Sequence, residues 1–327
     1  MEVVPGIYQL QLPLTGFPTG YANVYVVPGE AGCLMVDTGW DTEASFDSLK
    51  KQLSEIGFAL DDIKQIVVTH CHTDHYSMAN RLERLSCAEI YVHKLDLEVI
   101  ESRFNSGDDF IEQTNRFLRQ NGVPNAELAG PNPPLPEISP TSNNVVLRGG
   151  ETIPVGAFNL KVLWTPGHSP GHISLYEPAQ KLLFSGDLVL PTIASNIGLH
   201  LQYSSNPLAD YLKSLNMVKR LEVKMVLPAH EYIFRNLQQR VEELIQRHEQ
   251  RNTKIMAVIA DGTPKTAYRV SRAISWSPES ERAGWEGLPS WDKRLAVLET
   301  LAHLEFLRFN DKLDKFLADG IVFYRAR

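Results

Sequence analysis

The chain has 327 residues, of which 43% are hydrophobic and 22% are charged; this composition excludes a disordered or low-complexity protein, and the length predicts about two domains. The net charge of −7 argues against a protein whose whole surface binds nucleic acid, because that needs Lys and Arg against phosphate. The sequence contains no apolar run of about 18 residues, so no membrane-spanning helix is predicted. The first residues lack a signal-peptide pattern, and three cysteines favour a reducing cytoplasm.

The N-terminal third alternates between predicted strands and helices. Strands are predicted where apolar residues alternate or cluster between turn residues, at 6–12, 21–27, 33–36, 63–68 and 88–92. Apolar residues at helical spacing predict helices at 41–56 and 76–85. Such alternation is typical of an α/β fold.

Residues 94–120 are predicted to be helical, and an irregular connection rich in Pro, Gly and Asn follows at 122–144. A connection of that length is either a functional lid or a solvated insertion. Strands are then predicted at 145–147, 158–164, 172–176, 181–185 and 225–227, with helices at 207–221 and 236–256.

The C-terminal region differs in charge from the body. Residues 246–327 hold 14 Lys+Arg and 11 Asp+Glu, a balance of +3, which leaves −10 for the rest. Helices are predicted at 266–274, 293–307 and 311–317, followed by a strand at 321–324. We therefore predict a catalytic domain over 1–250 and a helical, winged-helix-like domain over 251–327. A leucine stripe in its second helix indicates core packing or a homodimer face.

Four metal-ligand side chains occur within six residues, at the point where a predicted strand passes into a helix. They are His70, His72, Asp74 and His75. In such a loop, residues two apart project to one side, so His70 and His72 can share one ion, and Asp74 and His75 can face a second. Imidazole with carboxylate suits Zn²⁺, with Mn²⁺ or Fe²⁺ as alternatives.

Three later strands also end at ligand-type residues. His168 follows the strand that ends at Trp164, Asp187 follows Leu183-Phe184-Ser185-Gly186, and His230 follows Val226-Leu227-Pro228-Ala229. The C-terminal ends of strands are where α/β folds commonly place their sites.

Together these motifs resemble those of metallo-β-lactamase-fold hydrolases. The motif HxHxDH is present as His70, His72, Asp74 and His75, and His168, Asp187 and His230 match the later motifs. The resemblance implies a four-layer αββα sandwich with a dinuclear metal site at its edge. It implies one ion held by His70, His72 and His168, a second held by Asp74, His75 and His230, and Asp187 bridging the two.

Two further residues are expected to support the ligands. Asp37 matches an acidic strand end that usually plays a hydrogen-bonding role in this family, and His172 is interpreted as a supporting or packing residue, since the match assigns ligation to His168.

Because Asp187 stands where true β-lactamases usually have Cys, and His75 is present, the chain is similar to the glyoxalase II, lactonase and ribonuclease Z side of the superfamily. Its C-terminal region resembles the branch with a winged-helix domain.

The implied chemistry is hydrolysis by a metal-bridging hydroxide, with Asp74 as the proton-handling catalytic residue. The leading hypothesis is a hydrolase of a small acyl thioester or ester. A single-stranded-RNA endonuclease is the alternative, supported by the +3 C-terminal region and opposed by the −10 body, and a lactonase is another. A non-catalytic protein that kept the fold is disfavoured because all seven ligand positions are occupied.

Overall fold

The computed structural model describes residues 1–16, 19–106, 108–128, 137–202, 205–276 and 284–327. The chain forms two compact units. The first contains Met1–Asn105, Leu135–Ser195 and Ser214–Val241, and the second contains Ser106–Pro134, Asn196–Lys213 and Glu242–Arg327. Both units draw on separate stretches of sequence. The division into domains 1–250 and 251–327 stays a prediction.

A seven-stranded sheet in the first unit follows chain order from β1 to β7. Its strands are β1 Glu2–Val4, β2 Ile7–Pro13, β3 Tyr21–Gly29, β4 Gly32–Val36, β5 Ile63–Val67, β6 Glu89–His93 and β7 Asn144–Leu147. Strands β1 to β4 pair antiparallel, and β4 to β7 pair parallel. Among the parallel strands, β4 is an apolar run that is almost wholly buried, whereas β5 and β6 combine buried apolar residues with polar or exposed ones.

A five-stranded sheet has the order β12-β11-β10-β9-β8. Its strands are β8 Thr152–Val155, β9 Phe158–Trp164, β10 Ile173–Glu177, β11 Leu182–Gly186 and β12 Met225–Pro228. One buried core contains residues of both sheets, including Tyr25, Leu34, Leu160, Leu175 and Phe184. The sheets therefore pack face to face as a sandwich, which confirms the predicted α/β class.

The helices follow the apolar patterns of the sequence. The helices are α1 Glu43–Glu55, α2 Thr73–Tyr76, α3 Ala79–Ser86, α4 Lys94–Ser106, α5 Asp108–Gln120, α6 Pro207–Lys219, α7 Leu237–Ile259, α8 Ala267–Ala273 and α9 Ser290–Phe309. The helical prediction for 94–120 is confirmed over α4 and α5. Part of the predicted connection at 122–144, residues 129–136, lies outside the described residues.

The helix predicted at 311–317 is wrong, because this segment is a strand. Strand β13, Leu313–Ala318, pairs antiparallel with β14, Ile321–Ala326. Asp319 and Gly320 join them, both with positive φ (50° and 77°), which is the backbone that two-residue hairpins require and that an Asp-Gly pair favours. The winged-helix-like assignment of this region stays a prediction.

No helix in the described part of the chain combines the length and the apolar character that crossing a bilayer requires.

Candidate metal centre

The loop between β5 and α2 carries four of the predicted ligands. Strand β5 is buried and ends at Val67, so the residues after it emerge at the edge of the sheet. His70 Nε2 lies 3.0 Å from His72 Nδ1. His70 and His75 are at most 1% exposed, whereas Asp74 belongs to the short helix α2 and its side chain is 13% exposed. This loop thus directs ring nitrogens and a carboxylate toward one place.

Three loops of the second sheet bring the remaining ligands to the same edge. His168 lies between β9 and β10, Asp187 follows β11, and His230 follows β12. One oxygen of Asp187, Oδ2, is 3.4 Å from His168 Nε2, and the other, Oδ1, is 3.5 Å from His230 Nε2. The two oxygens of this carboxylate therefore face different histidines.

The seven side chains form overlapping groups of three, each able to hold an ion. In each group one donor atom per residue lies within 4.8 Å of the others: His70 with His72 and His168, Asp74 with His75 and His230, and His70 with His75 and Asp187. In the second group, Asp74 Oδ2 is 3.4 Å from His75 Nε2 and 3.2 Å from His230 Nε2. The structure brings together all seven predicted ligands, while ligation itself stays a prediction.

The spacing and the unsatisfied atoms fit a divalent cation. Two donors held at 2.0–2.1 Å by a tetrahedral Zn²⁺ are separated by roughly 3.4 Å. Several donor pairs here are 3.0 to 3.9 Å apart, in groups whose donors all lie within 4.8 Å of one another. Among the described residues, His75 Nε2 and Asp187 Oδ1 are buried without a hydrogen-bond partner. A buried polar atom without a partner is costly, and a cation would satisfy both.

Asp37 supports this loop through its carboxylate. It accepts hydrogen bonds from the Thr69 backbone N–H (2.7 Å) and the Thr69 hydroxyl (2.8 Å), and its Oδ2 lies 2.9 Å from His75 Nδ1. When Nδ1 of His75 donates to this carboxylate, the lone pair is on Nε2, the nitrogen that faces Asp74 and Asp187. Such a contact fixes the tautomer and orientation of a ligand imidazole.

His172 lies behind Asp187. Its Nε2 accepts the Asp187 backbone N–H at 3.1 Å, and its Nδ1 lies 2.8 Å from Thr165 Oγ1. Burial, with His168 close by, lowers the pKa of His172 to about 3, so the ring is neutral, as an acceptor must be. His172 belongs to none of the metal groups and holds the strand end that carries Asp187.

The electrostatics of the site favour a cation. Burial by itself would lower the pKa of His75, but the carboxylates of Asp74, Asp37 and Asp187 raise it well above its usual value. Burial would raise the pKa of Asp74, but His75 and His230 hold it well below its usual range. The field that draws a proton to His75 draws a metal ion as well.

The structure adds supporting residues that the motifs did not indicate. The Asn23 side chain donates to the carbonyls of Pro228 and Glu231, each at 2.9 Å, and the Tyr25 hydroxyl donates to Pro228 O at 2.8 Å. Strand β3 thereby holds the loop that carries His230. These are contacts across more than 200 residues, and no local pattern marks them.

A second group of buried histidines lies in the other unit. His248 of α7 and His303 of α9 place Nδ1 and Nε2 3.3 Å apart, and Glu299 completes a set of three potential ligands. His303 Nδ1 lies 2.8 Å from Asn252 Oδ1, and Arg251 Nη1 lies 4.0 Å from Glu299 Oε1. Motif spacing did not predict this group, because its members come from two helices.

The sequence of the chain is similar to that of a known protein family. The family model described as "Metallo-beta-lactamase superfamily" matches residues 18–230. Probable metallo-hydrolase YqjP of Bacillus subtilis is 26% identical and covers 95% of this chain and 95% of its own length. Acyl-coenzyme A thioesterase MBLAC2 of Bos taurus is 28% identical over 64% of this chain and 72% of its length.

Among solved structures, the metallo-beta-lactamase family protein TTHA1429 from Thermus thermophilus aligns with a TM-score of 0.83. The two are 30% identical, and the alignment covers 99% of this chain and 100% of that one. The region matched by the family model contains every residue of the HxHxDH motif as well as His168, Asp187 and His230. The chain therefore belongs to the metallo-beta-lactamase superfamily of hydrolases.

Proposed function

We propose that the protein hydrolyses an acyl thioester at a centre of two divalent metal ions, with Zn²⁺ as the first candidate. His70, His72 and His168 would hold one ion, Asp74, His75 and His230 the other, and Asp187 would bridge them. The observation that carries the proposal is the placement of Asp187, whose two oxygens lie within 3.5 Å of His168 on one side and His230 on the other.

The ions, when bound, would activate water and polarise the carbonyl oxygen of the substrate. Asp74 is the residue we assign to the proton. Because His75 and His230 keep its pKa well below the usual range against the effect of burial, it is a carboxylate at neutral pH. Its partial exposure lets it orient the attacking water and accept a proton from it.

The reaction needs no strong acid in this site. A C–O bond forms between water oxygen and the acyl carbon, the C–S bond breaks, and the products are a carboxylic acid and a thiol. A thiol with a pKa near 8.5 leaves readily as thiolate and takes up a proton from solvent. The nitrogen and oxygen donor set contains no thiolate, since Cys71 lies in the motif but contributes to none of the metal groups.

The relative named as an acyl-coenzyme A thioesterase supports the choice of substrate class, because its alignment covers 64% of this chain. That name belongs to the relative, and the substrate of this chain is a proposal. Glutathione thioesters are a weaker candidate, because the basic residues that glyoxalase II uses for glutathione are not recognisable in the C-terminal sequence.

A substrate panel tests the proposal. Zinc-loaded protein is given acyl-coenzyme A thioesters of increasing chain length, acyl esters, lactones and single-stranded RNA, each with and without a chelator. We expect thiol release from the thioesters, followed with a thiol-reactive dye, and its loss with chelator. Chelator-sensitive cleavage of RNA alone, falling with salt, would contradict the thioester proposal in favour of the nuclease.

The variant Asp74→Asn tests the role of the carboxylate. We expect kcat to fall by about 10²–10⁴-fold, the usual contribution of a positioned proton acceptor. Asp61→Asn is the matched control, because Asp61 is an exposed carboxylate on the turn before β5, and it should leave kcat unchanged. An Asp74→Asn protein with full metal content and full kcat would refute the assignment of Asp74.

A further inference from the structure

We propose that Asp96 is a positioning residue that locks two ligand loops of the metal centre to each other. It lies in the first turn of α4 and is fully buried. It is not among the potential metal ligands. Its carboxylate contacts the loop of His70 and His72 on one side and the loop of His168 on the other.

The contacts are with backbone and hydroxyl donors of both loops. Asp96 Oδ2 accepts the Cys71 backbone N–H at 2.8 Å and the Ser169 hydroxyl at 2.6 Å, and Oδ1 accepts the Gly171 backbone N–H at 2.6 Å. Cys71 stands between His70 and His72, and Ser169 directly follows His168. One carboxylate therefore fixes the backbone next to all three members of the first metal group.

The sequence of the second loop fits this role. A Cβ atom at Gly171 would lie 2.5 Å from the Asp96 backbone nitrogen and 2.7 Å from Asp96 Oδ1, so only glycine leaves room for the carboxylate. Two of the three hydrogen bonds come from residues adjacent to the predicted ligands, and the third comes from Gly171 in the same loop as His168, so a shift of Asp96 would change the angle between His72 and His168. Partners of this kind typically change metal affinity or activity by about 10- to 100-fold when altered.

The inference rests on the metal centre proposed above, and it concerns the first metal group only. The histidine group of the other unit, His248 with His303 and Glu299, is assigned no metal. The guanidinium of Arg251 already lies 4.0 Å from Glu299, and positive charge from Arg247 and Arg251 adds to burial in disfavouring a cation on these histidines.

The test compares Asp96→Asn with a matched control. Glu83 of α3 is also a buried carboxylate that accepts two backbone N–H groups and one serine hydroxyl, those of Ser142 and Asn143. Those residues carry no predicted ligand. The asparagine places an NH₂ group against N–H or O–H donors, whichever way it is turned, because the three donors are divided between Oδ1 and Oδ2 of Asp96. In the control all three donors bond to Oε1 of Glu83, so Glu83→Gln can keep a carbonyl oxygen toward them and removes only the negative charge of the buried carboxylate.

The measurements are the Zn²⁺ dissociation constant by competition with a chelating dye, the absorption spectrum of the Co²⁺-loaded protein, and urea unfolding of the metal-free protein. We expect Asp96→Asn to weaken metal binding by about 10- to 100-fold and to shift the Co²⁺ spectrum. Ser169→Ala, which removes one of the three hydrogen bonds, should give a smaller effect in the same direction. Glu83→Gln should lower stability without changing either metal readout.

Equal metal affinity in Asp96→Asn and Glu83→Gln would overturn the inference, whatever their stabilities, because it would mean that the contact supports the fold and not the ligands. Absence of metal binding by the unchanged protein would instead refute the metal centre, and the inference with it. Turnover is not needed for either outcome, so a wrong substrate class does not affect the result.

Discussion

Two groups of buried histidines, one in each unit, differ in the charge that surrounds them. Around His75 the carboxylates of Asp37, Asp74 and Asp187 raise the imidazole pKa against the effect of burial. Around His248 and His303, burial and the positive charge of Arg251 and Arg247 lower both pKa values. Since charges that repel a proton also repel a metal cation, donor type and proximity alone do not define a metal site. Burial and neighbouring imidazoles also lower the pKa values of His70 and His72 in the proposed centre, so the contrast between the two groups rests on the carboxylates of Asp37, Asp74 and Asp187.

The strongest test of this contrast is a matched pair of substitutions, His75→Gln and His303→Gln. The first removes a ligand of the proposed centre, and we expect lower metal content and a fall in kcat of about 10³-fold, the equivalent of several kcal/mol of transition-state stabilisation. The second should leave metal content and kcat unchanged. Metal content is measured by atomic emission on dialysed protein.

The number of metal ions bound per chain can contradict the proposed difference between the two histidine groups. We expect about two ions per chain in the unchanged protein and in His303→Gln. If His303→Gln lost one equivalent of metal while the activity stayed, the group on α7 and α9 would be a metal site, and the argument from Arg251 would be wrong.

The substitution Glu299→Ala tests the contrast in the second unit. The substitution removes the carboxylate next to the buried guanidinium of Arg251, and breaking a buried pair in this way costs about 3 kcal/mol. We expect this loss in the free energy of unfolding, measured with urea. Glu286→Ala is the control, because Glu286 pairs with Arg272 at the surface and such pairs contribute about 1 kcal/mol or less.

The smallest expected effect is a dependence of stability on pH. The pKa of His248 is about 3 in the folded protein, because of burial and of Arg247 and Arg251, and about 6.5 when unfolded. The unfolded chain therefore binds the proton more readily, and the contribution of His248 to stability, complete above pH 6.5, is lost as the pH falls. At pH 5 the loss is roughly 2 kcal/mol. His248→Gln should flatten the pH dependence of unfolding between pH 7 and 5 by this amount, and an unchanged slope would show that His248 is not held neutral.

The sequence predicted the catalytic half of the fold well, because its signals are local. Apolar runs such as 63–68 and 181–185 correspond to the buried strands β5 and β11, and each ligand motif stands directly after a strand. Ligand-type residues at short spacing, as in His70-Cys71-His72, are also a local signal. The residues that were predicted as ligands are the ones that the structure brings within reach of one another.

The wrong prediction came from a segment where local patterns compete. Residues 311–317 have a composition compatible with a helix, but Asp311 has a positive φ of 58° and the following residues pair with β14. The Asp319-Gly320 turn was the overlooked signal.

By itself, then, the sequence determined the superfamily, the strand ends and the identity of the potential ligands, since each depends on a few neighbouring residues. The sequence also indicated Asp37 and His172 as supporting residues, but only the tertiary structure decided which groups they contact, and it alone added Asp96. Asp37, His172 and Asp96 act through hydrogen bonds to loops that are distant in sequence. The tertiary structure also separated the two histidine groups, because the charge around a buried side chain is set by every element packed against it, and the linear order of residues does not show this.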